Sequence, residues 1–404
     1  MPGLLAGVAA IVATLLLSRR VEQLDLWRFA LCWWGVLLAL DGIARLRHGA
    51  SPLSRPRDWL ACAAASVLFW DVFELLDLRL RNWWYVGVPR TPLGGAAFSA
   101  ICFATVLPAV RLGLAAISPS RDAGVAVAVA APRSARVLLA AFLASLALVL
   151  AFPRIAFPLA WALLWFGFEA ELARRRDDEP RLPSPLQAFR GGDRRVFFRL
   201  LALALPLGLV WESLNSGAAR GWIYTVPGFE SHKLFEMPLP GYLGYFPFLL
   251  ACGAALALLD RTTARLRGVP AAVMLLAIAG FHWKADGFGR RATTISVAPR
   301  MADARTLPPS DLEWLQRAGL DTPRDVLRST RAIPVRLRQL AEVADVGQMG
   351  VPWAERLARA GVRSRAMLAS ADPERLSTVL AAQVENPPDP ALVRLWVRKA
   401  RESR

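Results

Sequence analysis

Nine apolar runs, each close to the length that crosses a bilayer, set the terms for this chain. They fall near residues 2–18, 26–44, 58–77, 93–117, 136–152, 154–173, 196–215, 239–259 and 269–283. A hydrocarbon core about 30 Å thick takes about 20 apolar residues of helix. Lipid offers no partner to a backbone N–H or C=O, so a segment lying in it must close its hydrogen bonds on itself. The expected fold is therefore all-α, a polytopic helical membrane bundle of eight or nine spans followed by a small soluble helical domain. The last run is short and ends in the polar stretch FHWK, which leaves the count at eight or nine. The first run has neither a basic leader nor a clear cleavage site, so it reads as a span rather than a signal peptide. Composition points the same way: 55% of residues are hydrophobic and 20% charged, against about 45–50% and 25% in soluble domains.

The formal net charge is +17. Such a value fits either a nucleic-acid-binding protein or a membrane protein that gathers arginine in its cytoplasmic loops. Residues 301–404 carry only +4 of it, and the apolar part carries the other +13, which favours the membrane reading. One set of alternate loops, including 174–195, holds 18 basic residues, and the other set holds nine. The expected location is the inner (plasma) membrane, multi-pass, with the N-terminus and the 174–195 loop cytoplasmic. The Trp/Tyr-rich loops then lie on the outer side. The four cysteines, Cys32, Cys62, Cys102 and Cys252, each stand alone in an apolar run and read as small apolar filler.

The domain reading is a transmembrane part over 1–283, a polar linker over 284–308 and a helical domain over 309–404. Within the membrane part a pattern occurs twice, near 57–117 and 196–259. Trp70-Asp71 and Glu74 correspond to Trp211-Glu212 and Asn215, Arg81-x-Trp83-x-Tyr85 to Arg220-x-Trp222-x-Tyr224, and Pro92-Leu93-x-Gly95 to Pro238-Leu239-x-Gly241. The second copy carries an insertion, GFESHKLFEM, with Glu230, His232 and Glu236. An internal duplication often places a site between its copies; it can equally be purely architectural.

Asp71 and Glu74 stand at i and i+3, so they share a helix face, and Glu212 and Asn215 repeat the spacing. A carboxylate at the centre of a span costs about 2.5–3.5 kcal/mol and faces protein or a wet cavity. Two readings stay open. Asp71, Glu74, Glu212, Glu236 and His232 are the candidate acid/base groups for an apolar substrate. Alternatively the carboxylates form structural ion pairs, Asp71 and Glu74 with Arg220, and Glu212 with Arg81 or Arg220. Trp83, Tyr85, Asn215, Arg220, Trp222 and Tyr224 are candidate substrate-binding residues, with an aromatic belt at the membrane boundary as the plainer reading of the rings. Arg111 joins the binding set. It lies in a span behind Pro108, which kinks the helix, and it needs an acidic partner, for which Glu74 and Glu212 are the natural choices. His282 ends the last run and is given no role. No phosphate-binding, hydrolase, zinc or dinucleotide fingerprint occurs in usable context, so no cofactor and no metal are expected.

In the tail, Arg317-Ala318-Gly319-Leu320-x-Thr322 recurs as Arg359-Ala360-Gly361-Val362-x-Ser364. Glycine closes one helix and a hydroxyl caps the next. The pattern resembles tandem helix-hairpin-helix domains, in which a glycine hairpin holds a nucleic-acid phosphate. Here Asp345-Val346-Gly347 stands at that hairpin, so the tail is expected to bind a protein partner rather than DNA. The membrane part resembles a family of uncharacterised polytopic bacterial membrane proteins through WESLN, GWIY, FEMPLPGYLGYFPF, NWWYVGVP and FATVLP. It is faintly similar to the lycopene cyclase domain family, with Glu236-Met237-Pro238 standing where that family carries Pro-Glu-Glu. That likeness implies acid catalysis on a carotenoid. Two functions follow as expectations: a membrane enzyme doing acid/base chemistry on an apolar, isoprenoid-like lipid, or a non-enzymatic membrane scaffold or channel-like protein whose tail binds a partner.

Overall fold

The computed structural model describes residues 1–18, 20–119, 132–174, 183–226, 228–229, 232–265, 271–384 and 387–402. Glu230, Arg121, Arg175, Arg176 and Arg181 lie outside the described residues. The chain forms two compact units, one of residues 1–81, 91–218 and 231–292, the other of 82–90, 219–230 and 293–404.

The first unit contains α1 (Pro2–Leu17), α2 (Glu22–His48), α3 (Pro56–Leu80), α4 (Pro92–Phe103), α5 (Val106–Ile117), α6 (Pro132–Ala151), α7 (Pro153–Ala156), α8 (Ala160–Arg174), α9 (Pro185–Arg190), α10 (Arg195–Asn215), α11 (Tyr245–Arg265) and α12 (Ala271–Ala292). Among the described residues, seven helical segments are long and apolar enough to cross a membrane: Gln23–His48, Pro56–Leu80, Pro92–Ile117, Ser134–Ala151, Pro153–Arg174, Arg195–Asn215 and Leu239–Thr262. The chain is thus a multi-pass helical membrane protein. α1 is shorter but packs closely on α2. A Cβ on Gly7 would stand 2.5 Å from the backbone of both Gly35 and Ala39, so the two helices touch main chain to main chain. Small residues permit that approach where lipid supplies no hydrophobic drive between helices.

The segment 92–117 is two helices, not one kinked helix. α4 stops at Phe103 and α5 starts at Val106, with Pro108 in its first turn. Proline removes its own N–H and clashes with the carbonyl four residues back, Ala104. Ser66 of α3, fully buried, bridges the break: its Oγ accepts from Leu107 N at 3.0 Å and donates to the Phe103 carbonyl. A side chain from a neighbouring helix thus satisfies groups left open where the two helices part.

The second unit joins the two aromatic segments to the tail. Strands β1 (Trp83–Val86) and β2 (Gly221–Tyr224) pair antiparallel, Trp83 against Tyr224 and Tyr85 against Trp222. The two W-x-Y triplets therefore face each other head to tail. Residues 294–297 bridge to the other side of β1, at Tyr85 and Val88. Residues 293–308, read from composition as linker, are built into this unit. Met301 is buried and its N–H reaches the Asp321 carbonyl at 2.7 Å. Buried Glu355 accepts from Thr306 N at 2.7 Å and from its hydroxyl.

The tail helices are α13 (Pro309–Ala318), α14 (Pro323–Arg328), α15 (Val335–Asp345), α16 (Val351–Arg359), α17 (Arg365–Ser370), α18 (Pro373–Gln383) and α19 (Pro390–Glu402). The short sequence repeat has matching geometry. Gly319 and Gly361 both take positive φ, 68° and 89°, and Thr322 and Ser364 cap α14 and α17. Leu320 N bonds Leu315 O at 3.0 Å, and Val362 N bonds Leu357 O at 2.8 Å. The core of this unit holds Leu337, Met349, Leu357 and Trp396, all fully buried.

Candidate functional site

Within the membrane unit, α3 presents Trp70, Asp71 and Glu74 while α10 presents Trp211, Glu212 and Asn215, all from half-buried to fully buried. Their indoles approach to 5.9 Å between centroids. Phe248 of α11 stands at the centre of the aromatic cluster, 5.5–5.9 Å from Phe69, Trp70, Phe73 and Trp161. Two carboxylates are anchored here by aromatic donors. Glu74 Oε1 accepts from Trp70 Nε1 at 2.8 Å, one turn away, and Glu212 Oε1 accepts from Tyr245 OH at 2.8 Å. Tyr245 reaches Glu212 across Gly208, where any Cβ would stand 2.7 Å from the ring.

A second polar group gathers on α12. His282 Nδ1 lies 2.8 Å from Asp71 Oδ1, and its Nε2 lies 2.9 Å from the Ala96 carbonyl and 3.2 Å from Ser99 Oγ. Ser99 Oγ donates to Asp286 Oδ1 at 2.8 Å, and Asp286 Oδ2 accepts from Arg290 Nη2 at 3.3 Å. Arg290 lies over Gly95, filling the space a Cβ would take. The proton positions follow from the partners. A carbonyl can only accept, so Nε2 carries hydrogen. The Nδ1–Oδ1 bond needs a hydrogen as well, so the Asp71–His282 pair holds two protons. Asp71, His282 and Ser99 have the order of a hydrolase triad, but in the arrangement seen Nε2 donates to the Ala96 carbonyl and is no base toward Ser99. Asp71 Oδ2 is fully buried and has no hydrogen-bond partner.

The remaining candidates fall elsewhere. Arg111 pairs with Asp260 of α11, not with Glu74 or Glu212. Asp71 pairs with His282 rather than with Arg220. Asn215 is buried, and its carbonyl caps Ala218 N at 3.1 Å. The insertion forms a tight hairpin, β3 (Lys233–Leu234) with β4 (Met237–Pro238), which leaves His232 exposed and Glu236 half-buried. Tyr242 OH holds the Leu234 carbonyl at 3.1 Å.

Trp83, Tyr85, Arg220, Trp222 and Tyr224 belong to the second unit. Trp83 and Tyr224 are buried and Tyr85 and Trp222 half-buried, with Trp222 Nε1 donating to Tyr224 OH at 2.8 Å. Arg220 Nε donates to the Gly87 carbonyl at 2.8 Å. In the tail, Gly347 of the Asp345-Val346-Gly347 hairpin packs against Trp396, with its Cβ position 3.3 Å from the indole.

Sequence reading passed over Ser99, Tyr245, Asp260, His282 and Asp286. A signal was present for α12: His282, Asp286 and Arg290 follow at i, i+4 and i+8, one stripe of a helix. Among the described residues no three His, Cys, Asp or Glu side chains gather as a metal site would require. No family model, no curated protein and no solved structure matches the chain.

Proposed function

We propose that the protein is a membrane enzyme that carries out redox-neutral acid/base chemistry on an apolar, isoprenoid-like lipid, with Asp71 as the proton donor. The observation that carries this reading is Asp71 Oδ2, a fully buried carboxyl oxygen with no hydrogen-bond partner. An unsatisfied buried polar atom costs about 1–3 kcal/mol in an ordinary structure. When the Asp71 carboxyl carries its proton and rotates so that the O–H takes this open position, aimed at a double bond, the position gains a use. Protonation moves the π electrons of the alkene into a new C–H bond and leaves a carbocation on the neighbouring carbon. The Trp70, Trp211, Phe73 and Phe248 rings offer the electron-rich faces that stabilise such a cation. Loss of a proton from an adjacent carbon restores a double bond and leaves Asp71 to be reprotonated. Glu74 and Glu212 are the nearby carboxylates of the repeated frame and the natural acceptors for that proton.

The topology that accompanies this reading has nine spans, a cytoplasmic N-terminus and the tail on the outer side. The two aromatic segments and residues 293–404 belong to one compact unit, so the chain between them crosses the bilayer an even number of times. Four candidate spans separate the first segment from the second. After the second, Leu239–Thr262 needs one returning span, and α12 is the helix available. A reporter fused to Arg404 that is active only outside the cytoplasm checks this; activity of a cytoplasm-only reporter there refutes it.

The enzyme reading is tested with protein purified in mild detergent. Apolar lipids are extracted and identified by mass spectrometry, then returned to the protein in deuterated water. Deuterium appears on a lipid carbon with the native chain and not with Asp71→Asn. Equal incorporation by both would refute the assignment. The alternative reading, a scaffold whose tail recruits a protein partner, draws on a separate observation: the recurring W-x-Y segments are built into the tail's own unit. It predicts that Asp71→Asn leaves function intact in cells while loss of 301–404 abolishes it.

A further inference from the structure

We infer that α12 carries a proton relay that connects Asp71, deep in the membrane unit, to the aqueous boundary where the helix ends. The inference rests on the reading of Asp71 as a proton donor, since an acid that is used must be recharged. Asp71 is wholly buried, its side chain 1% exposed and that of His282 6%. It has no direct access to water.

The path is continuous. Asp286 Oδ1 meets Ser99 Oγ at 2.8 Å, Ser99 Oγ meets His282 Nε2 at 3.2 Å, and His282 Nδ1 meets Asp71 Oδ1 at 2.8 Å. Each member can both take and give a proton: carboxylate, hydroxyl and imidazole. The path also has a direction. His282, Asp286 and Arg290 stand ten, six and two residues before the end of α12 at Ala292. At 1.5 Å per residue these lie about 15, 9 and 3 Å from the helix end. Exposure rises along the same line, with the Asp286 side chain 14% exposed and Arg290 20%. Arg290 holds the outer oxygen of Asp286 and keeps that carboxylate at the entrance. Gly95 leaves the room that lets Arg290 lie there.

The proton count closes. A proton arriving at Asp286 passes to Ser99 Oγ as the hydroxyl proton of Ser99 passes to Nε2. The Nδ1 proton of His282 then passes to Asp71. The result is Asp71 in its acid form beside a neutral imidazole that bears hydrogen on Nε2 and donates it to the Ala96 carbonyl, the arrangement whose heavy atoms are seen here. After Asp71 gives up its proton, a turn of the imidazole ring brings the Nε2–H toward Asp71 and the bare Nδ1 toward Ser99, ready for the next transfer. No oxidant, metal or other co-reactant enters. His282, Ser99 and Asp286 are relay residues: none of them touches the lipid.

The test needs no lipid, so it can fail separately from the enzymatic reading. The chain has three histidines, so [15N]histidine-labelled full-length protein in nanodiscs gives few ring signals, and His282→Gln assigns the one in question. Exchange of its ring hydrogens with deuterated water is then timed. Asp286→Asn and Ser99→Ala should each slow that exchange by about a hundredfold, the low end of what a positioned proton-transfer group contributes. Asp286→Glu and Ser99→Thr should restore it, and a merely structural role for these side chains would not produce that pattern. Exchange at the native rate in both Asp286→Asn and Ser99→Ala would overturn the relay. His282 ring shifts unmoved by Asp71→Asn would overturn the Asp71–His282 pair itself. A working relay with no deuterium delivered to lipid would leave the relay standing and sink the enzymatic reading instead.

Discussion

Ser66→Ala is the substitution whose cost the structure defines most sharply. Interhelical side-chain hydrogen bonds in membranes average only about 0.6 kcal/mol, because the unfolded chain in the membrane finds other partners. Ser66 differs in what it holds. Its partners are the last carbonyl of α4 and an early N–H of α5, two groups orphaned by the break before Pro108. The site is fully buried, so water does not replace the hydroxyl. Removing it strands one donor and one acceptor, at about 1–3 kcal/mol each, and partial relaxation of the break brings the expected loss to about 2–4 kcal/mol. Reversible unfolding in mixed micelles by denaturing detergent measures it. Ser213→Ala serves as the control, since exposed Ser213 merely bonds the Val210 carbonyl within its own helix and should change stability by less than about 0.5 kcal/mol. A loss at Ser66 no larger than about 0.6 kcal/mol would refute the argument that the proline break depends on this side chain.

Gly208→Ala puts a methyl 2.7 Å from the Tyr245 ring. The ring must turn and give up its bond to Glu212, at an overpacking cost of about 1–3 kcal/mol; an unaltered Tm and an unaltered tyrosine ultraviolet resonance Raman band would contradict this. Gly7→Ile drives a side chain into the α2 backbone, 2.5 Å from Gly35 and Ala39, and should abolish cysteine cross-linking between positions 3 and 42, whose helices meet there. Asp193, outside the spans, accepts hydrogen bonds from the guanidinium and N–H of Arg195, which hold its carboxyl below the ordinary range. A depressed folded pKa gives stability that is complete above the unfolded value and is lost as pH falls through the folded one. Asp193→Asn should therefore flatten the acid limb of the Tm–pH curve and leave neutral pH nearly unchanged; an unchanged acid limb would count against the pair.

Local chemistry was legible from the sequence wherever one segment carries its own signal. Spans at 26–44 and 58–77 were read inside α2 and α3, because bilayer thickness fixes the length of an apolar run. The caps at Thr322 and Ser364 and the glycine turns at Gly319 and Gly361 were legible for the same reason: each bond closes within a few residues. α12 shows where local reading stops. Hydropathy ended the last run at 283, yet the helix continues to Ala292. Two of the charged residues beyond the run, Asp286 and Arg290, bond to each other, and Asp286 also bonds Ser99. An average over a window cannot distinguish a polar stripe that packs on protein from a polar segment in water.

Partner identity belonged to the tertiary structure alone. Asp71 and His282 are 211 residues apart, and Arg111 and Asp260 are 149 apart. Nothing near Asp71 in the chain says which group will lie beside it, and plain charge matching pointed to Arg220. The sequence by itself determined that the chain must cross a membrane as helices, since unsatisfied backbone is intolerable in hydrocarbon, and that carboxylates recur beside aromatic rings on those helices. The packing decided that the repeated W-x-Y segments pair with each other, that Glu74 and Glu212 are held by Trp70 and Tyr245, and that the buried acid, Asp71, bonds a histidine. Those outcomes depend on which helix faces meet, and helix faces meet only once the whole unit has packed.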